Sequence, residues 1–304
     1  MRESLLEVST EVAAALADHH PVVALESTLI SHGLPWPDNL ETARRLHATV
    51  RAGGAVPATV GVVAGRLVVG LSDQEVEHLA RAHGVAKLGL RDLAPALAQL
   101  RDGATTVAST AVTARRAGID VFATGGVGGV HRGASTTWDE SADLAVLADT
   151  PLTVVCSGVK SILDVAATLE RLESLSVAVV GFRTDRFPGF YLTDSGHPVG
   201  WRADSATEIA AIMRARAGLQ LGQGALLIAN PVPPEQQLDP DLHDRVLAQA
   251  LAAADAAGIA GKDVTPYLLA YFHRATGGLS LQVNVTILLA NAGLAADIAV
   301  AAAG

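Results

Sequence analysis

The sequence predicts an α/β protein, specifically an α/β/α sandwich around a mixed, largely parallel sheet with a helical C-terminal layer. Three observations predict it. Short apolar runs bounded by turn or polar residues alternate with segments of helical period, the pattern of strands joined by crossover helices. One stretch, Val60–Leu71, reads as a hairpin and adds antiparallel pairing to the parallel set. From Asp239 onward the pattern is mostly helical and ends in the Ala/Leu-rich segment Leu279–Ala303.

Taken in order, Val22–Glu26 is a buried strand and Asn39–Ala52 the helix after it. The hairpin turns at Ala64-Gly65-Arg66 and leads into a helix over Asp73–His83. The strand Ile119–Thr124 runs into a glycine-rich loop. Leu152–Cys156 is the next strand, with helical period following over Val159–Glu173. Strand Val177–Phe182, helix Ser205–Ala217, strand Ala225–Ala229 and helix Asp239–Ala257 complete the alternation. No stretch rich in Pro, Gly or Ser separates two halves, so residues 1–304 are expected to form a single domain.

Composition bounds the function. Half of the residues are hydrophobic and only 17% are charged, as in a well-buried enzyme or an oligomer rather than a disordered chain. The net charge of -9, with no Lys/Arg cluster, argues against nucleic acid as a partner and leaves a small-molecule substrate. The single cysteine, Cys156, excludes an intrachain disulfide, and its apolar neighbours make it a buried structural thiol. The N-terminal stretch is acidic where a signal peptide needs a basic start, and no uninterrupted apolar run has transmembrane length. A cytoplasmic protein with no membrane partner is the expectation.

In open α/β sheets reactive groups gather beyond the carboxyl ends of strands. Lys160 stands there in "VVCSGVKSILD", and it is one of only three lysines, with Lys87 and Lys262. Apolar surroundings and the first turn of a helix would both disfavour its charged form and make it a nucleophilic amine. The competing reading is a packed stem with a solvated head. Glu26 ends a buried strand, where burial raises a carboxyl pKa as a general acid at neutral pH requires; the alternative is an ion pair with Arg44 or Arg91. Lys87 in "GVAKLGLRDL" would hold a phosphate or neighbour the nucleophile, or be an ordinary surface cation. Lys262 reads as loop-to-helix punctuation, and His32 has no stronger claim.

The loop Thr124–Gly133, "TGGVGGVHRG", is neither a Walker loop nor a dinucleotide fingerprint. It is expected to be a flexible ligand loop carrying His131 and Arg132. Asp139, Glu140 and Asp143 follow at the start of a helix. Asp139 or Ser141 would cap that helix, or the carboxylates would hold a hard cation against a substrate phosphate.

Several segments together carry a family resemblance: "ALESTLISHGLPWPDN", "GATTVAST", "FATGGVGGVHRGA", "DESADL", "VVCSGVKSILD", "ANPVP" and "GGLSLQVNVTILLANAGLAA". In this order they resemble the pseudouridine-5'-phosphate glycosidases, also called indigoidine-synthase-A-like proteins. The resemblance runs from about Val22 to the C-terminus. It implies reversible cleavage of pseudouridine 5'-phosphate to uracil and ribose 5-phosphate in a homotrimer with a divalent metal, usually Mn²⁺. It implies Lys160 as the imine-forming nucleophile, Glu26 as proton donor and Asp139 as metal ligand. Lys87, Val107, Ser141, Ala142 and Asp143 would contact substrate, with His131, Thr124 and Asn284 as further active-site residues. The chain departs from the family's pattern at Leu88-Gly89-Leu90, where a more polar run is expected, and at Arg183 and Gly189. An imine-forming lyase or aldolase on another sugar phosphate or C-glycoside phosphate is the alternative enzyme, and a nucleotide-binding regulatory module the non-catalytic one.

Overall fold

The computed structural model describes residues 5–220, 222–259, 261 and 264–304, so Lys262 lies outside the described residues. β1 (Leu6–Val8) and α1 (Thr10–Ala17) lead to β2 (Val22–Leu25), which is buried throughout. A π-helical turn over Leu29–Gly33 precedes α2 (Asp38–Ala52). β3 (Val56–Val63) and β4 (Arg66–Val69) form the expected antiparallel hairpin. Ala64 and Gly65 at its turn both have positive φ, 48° and 75°, the backbone a type I′ turn demands. α3 (Asp73–Arg81) starts at a capping box made by Ser72 and Glu75.

β5 (Ala86–Leu88), α4 (Leu93–Ala98), β6 (Gly103–Thr105) and α5 (Val107–Ala117) bring the chain to β7 (Val121–Ala123). Beyond the glycine loop come α6 (Ala134–Thr137), α7 (Ala142–Ala148), β8 (Thr153–Cys156), α8 (Val165–Ser174) and β9 (Ala178–Phe182). β10 (Arg202–Ala203), α9 (Ala206–Leu219) and β11 (Leu226–Ala229) complete the sheet. The helical end comprises α10 (Pro240–Ala256), α11 (Val264–Ala275) and α12 (Leu279–Ala303).

The strands form one mixed sheet in the order β1-β4-β3-β2-β7-β8-β11-β9-β10, with β6 paired to β3 and β5 to β6. From β3 to β10 every pair along that path is parallel. Alternate residues serve opposite faces, as the strand period requires. Val23, Leu25, Val121, Val155 and Ile228 pack with Leu46 and Val50 of α2 and Leu288, Ala292 and Ala295 of α12. Ala24, Phe122, Val154 and Leu227 pack on the other side with Ala108 and Ala111 of α5, Leu147 of α7 and Leu172 of α8. Burying each large side chain of this kind contributes about 1.5–3 kcal/mol. The α/β/α sandwich is therefore built as its sequence implies.

The structure corrects the reading of the helix that follows β8. α8 starts at Val165 with Asp164 as its N-cap, so Val159–Asp164 is a turn and Lys160 is not in a first helical turn. The helix-dipole argument for that lysine does not apply, because the effect fades within one turn of the helix end. α12, in turn, is long and apolar enough to cross a membrane by length and composition. Asn284, Asn291 and Asp297 interrupt its apolar run, and it packs against α2, α9 and the strands β2, β7 and β8.

Candidate active site

The parallel register sets Leu25, Ala123, Val155 and Ile228 level with one another across β2, β7, β8 and β11. Glu26 and Thr124 come one residue later and Ser157 and Asn230 two residues later, so all four emerge at the carboxyl edge of the sheet. A cavity of about 750 Å³ opens there. Glu26, Lys87, Val107, His131, Asp139, Ser141, Ala142, Asp143, Lys160 and Asn284 all line it. Thr124 stands behind the wall, where its hydroxyl donates to Glu26 Oε1, and Arg132 of the glycine loop does not line the cavity.

Glu26 is 8% exposed and pairs with neither Arg44 nor Arg91, since Arg44 reaches Glu77 and Arg91 faces Asp92. Burial pushes its carboxyl pKa up, and the Lys160 ammonium, then the Thr124 hydroxyl, oppose that rise. Lys160 sits on a loop stitched to the glycine loop. Ser157 N–H donates to the Gly125 carbonyl (2.9 Å), Val127 N–H to Gly158 (3.1 Å), Lys160 N–H to Val127 (3.2 Å) and Asp164 N–H to Val130 (2.9 Å). Gly158 makes the turn possible with φ +77°, and a Cβ there would strike the Pro188 carbonyl.

The glycine loop is a packed element rather than a flexible one. A Cβ on Gly128 would collide with Ser141 and approach Asp143 Oδ2 to 2.7 Å. Asp143, itself buried, accepts from Ala108 N–H through Oδ1 (2.9 Å) and from Gly128 N–H through Oδ2 (2.8 Å). One carboxylate thus ties the start of α5 to the loop. Ser141 caps α7 and donates its own N–H to the Gly129 carbonyl (2.9 Å). His131 Nδ1 lies 3.7 Å from Asp139 Oδ2. Burial lowers the His131 pKa, Asp139 opposes the shift, and Lys87 and Lys160 add to it.

Among the described residues no group of three or more His, Cys, Asp or Glu is disposed to hold a metal ion. Asp139 offers one carboxylate to the cavity, while both Asp143 oxygens are engaged by backbone N–H groups. A single carboxylate suits a hard divalent ion that keeps most of its water shell.

Leu90, from the departure at Leu88-Gly89-Leu90, stands exposed in the cavity wall beside Arg91, and His32, which had no stronger claim in the sequence, also lines it. Sequence reasoning passed over Thr28, from the turn after β2, and Phe190, which covers Gly126. Asn291, fully buried on α12, donates to the Thr124 carbonyl (2.8 Å). Its signal was a polar side chain two helical turns after Asn284 in an apolar helix, hence on the same face.

The family model described as indigoidine synthase A like protein matches residues 11–301. The chain belongs to that family. A relative from Salinispora tropica named pseudouridine-5'-phosphate glycosidase is 60% identical over 98% of this chain and 92% of its own length. Another from Saccharopolyspora erythraea, with the same name, is 56% identical over 99% of each chain. Two solved structures superpose on this fold. The prealnumycin C-glycosynthase AlnA, solved with ribulose 5-phosphate, gives a TM-score of 0.91 at 42% identity over 99% of this chain and 98% of its own. The indigoidine synthase A-like protein of Thermotoga maritima gives 0.89 at 36% identity, with the same coverage.

Proposed function

We propose that this chain reversibly cleaves the C–C glycosidic bond of pseudouridine 5'-phosphate, with water, to uracil and ribose 5-phosphate. The observation that carries the reading is an amine, Lys160, sharing one cavity with a buried carboxyl of raised pKa, Glu26. The names of the relatives from Salinispora tropica and Saccharopolyspora erythraea support it.

The bond explains the toolkit. An ordinary glycosidase protonates a leaving oxygen and works with two carboxylates. Here the departing atom is carbon and leaves with the bonding pair, so an electron donor is needed at C1'. The Lys160 amine adds to C1' as the ring oxygen leaves and takes the proton of Glu26. The added amine gives a proton to the Glu26 carboxylate. Its electron pair then expels the uracil carbon, which takes that proton from Glu26 as it departs, and a protonated imine between Lys160 and C1' remains. Water hydrolyses the imine to ribose 5-phosphate and the free amine. Glu26 suits the first proton transfer because burial holds it protonated at higher pH than an ordinary carboxyl.

In this reading Lys87, the Val107 backbone and the run Ser141-Ala142-Asp143 bind substrate, with Asp143 acting through the backbone it braces. His131 and Asn284 contact substrate from the cavity wall, and Thr124 orients Glu26. Asp139 would hold a divalent ion, Mn²⁺, which would supply positive charge to offset the negative charge of the substrate phosphate. The active form is a homotrimer, for which the exposed Trp138, Trp201 and Leu219 offer apolar surface to a second copy. The enzyme works in the cytoplasm, where phosphorylated nucleosides are retained by their charge.

The test is uracil release from pseudouridine 5'-phosphate, followed by chromatography with Lys160→Ala as control. Release by wild type and none by the variant is expected; equal release by both contradicts the role of Lys160. A second reading, ribosylation of a different carbon nucleophile, is favoured by the likeness to AlnA and by Leu90 in the cavity wall. A shortened sugar phosphate in place of uracil would instead support an aldolase.

A further inference from the structure

Asn291 is 0% exposed in the middle of α12. Its carboxamide meets the ends of three neighbouring parallel strands. Nδ2 donates to the Thr124 carbonyl past β7 (2.8 Å), with longer contacts to the Gly125 carbonyl (3.4 Å) and Ser157 Oγ (3.3 Å). Oδ1 accepts from Asn230 Nδ2 past β11 (2.9 Å). The Ser157 hydroxyl donates to the Asn230 carbonyl (2.7 Å), which leaves its oxygen to accept from Asn291. Donor and acceptor ends of the amide are thereby both matched.

The chain of contacts continues to the reacting groups. Thr124, held by its carbonyl on Asn291, donates its hydroxyl to Glu26 Oε1. Ser157 opens the loop that carries Lys160, and its N–H is tied to Gly125. One buried side chain therefore serves as the reference point for both the acid and the nucleophile.

We propose that Asn291 is a positioning residue of the reaction, fixing through Thr124 the orientation of the Glu26 carboxyl relative to Lys160. The kinetic consequence rests on the glycosidase reading; the hydrogen-bond chain does not. A hydroxyl donated to a carboxyl favours its ionised form, so slackening Thr124 raises the pKa of Glu26 further. Misplacing a reacting group by about 1 Å costs on the order of a hundredfold in rate.

The experiment compares wild type, Asn291→Ala and Asn230→Ala. Glu26 is titrated by the infrared carbonyl stretch of its protonated carboxyl, assigned by its disappearance in Glu26→Gln. The pH profile of uracil release is measured in parallel. In Asn291→Ala the Glu26 titration is expected at higher pH, with the alkaline limb of kcat moved the same way. The same variant should lose about ten- to a hundredfold in kcat with little change in KM. Asn230→Ala, which removes only the donor to Oδ1, should move the titration in the same direction by less. Titration of Glu26 at the wild-type pH in the folded variants overturns the proposal, whatever happens to stability. If Asn291→Ala does not fold, Asn230→Ala decides it. If wild type releases no uracil, the glycosidase reading fails while the infrared titration still decides this inference.

Discussion

Glu26 shows how a single residue is prepared by its surroundings. The chain encloses it at the end of β2, sets the Thr124 hydroxyl on it, and leaves Lys160 as its strongest opposing charge among the described residues. Glu26→Gln keeps the shape and removes the proton, so kcat should fall by about 10²- to 10⁴-fold while substrate still binds, as uracil-release kinetics would measure. The raised pKa also has a sign for stability. The folded protein holds this proton more tightly than the unfolded chain, whose value is the ordinary 4.5. Stability from this group is full below that pH and is lost as pH rises through the folded value. Glu26→Gln should therefore flatten that loss, and denaturant midpoints measured from pH 4.5 upward would show it. Cys156 is the contrasting case. Burial pushes its thiol up to about 12, so iodoacetamide should leave it unmodified in the native protein and modify it after unfolding.

At the scale of elements, the loops after β7 and β8 behave as one paired unit. Their glycines serve close approach more than mobility, and Asp143 fastens the unit to α5. Asp143→Asn replaces one acceptor oxygen by a donor facing a backbone N–H, which should cost about 2 kcal/mol of stability and raise KM together. Equilibrium denaturation with steady-state kinetics checks both. Asp164→Ala, which removes the α8 cap that accepts from Ala167 N–H (3.0 Å), should cost about 1 kcal/mol by the same measurement. The cap was legible from "SILD" only after the start of α8 was known. Helical period runs unbroken from Val159, and sequence pattern alone does not reveal that β8's loop first pairs with its neighbour.

Across the whole molecule, what was legible was what repeats. Strands such as Val22–Leu25 and Thr153–Cys156 are buried throughout and almost wholly apolar because both sheet faces are covered, and that pattern survives in one dimension. The three-residue strands β5 and β6 carry too little period to be read, and they place Lys87 in the cavity through pairing with each other and with β3. Candidate site residues were legible where a polar side chain ends an apolar run, as at Glu26 and Lys160. Asn291 showed only its spacing from Asn284, because its partners, backbone carbonyls, Ser157 and Asn230, come from segments far away in sequence. The central claim, an imine between Lys160 and the sugar, is tested most directly by trapping. Ribose 5-phosphate incubated with the enzyme and borohydride should leave a reduced sugar-phosphate adduct on the peptide bearing Lys160, and none in Lys160→Ala. An adduct confined to a peptide without Lys160, or no adduct from an enzyme that releases uracil, would contradict the account.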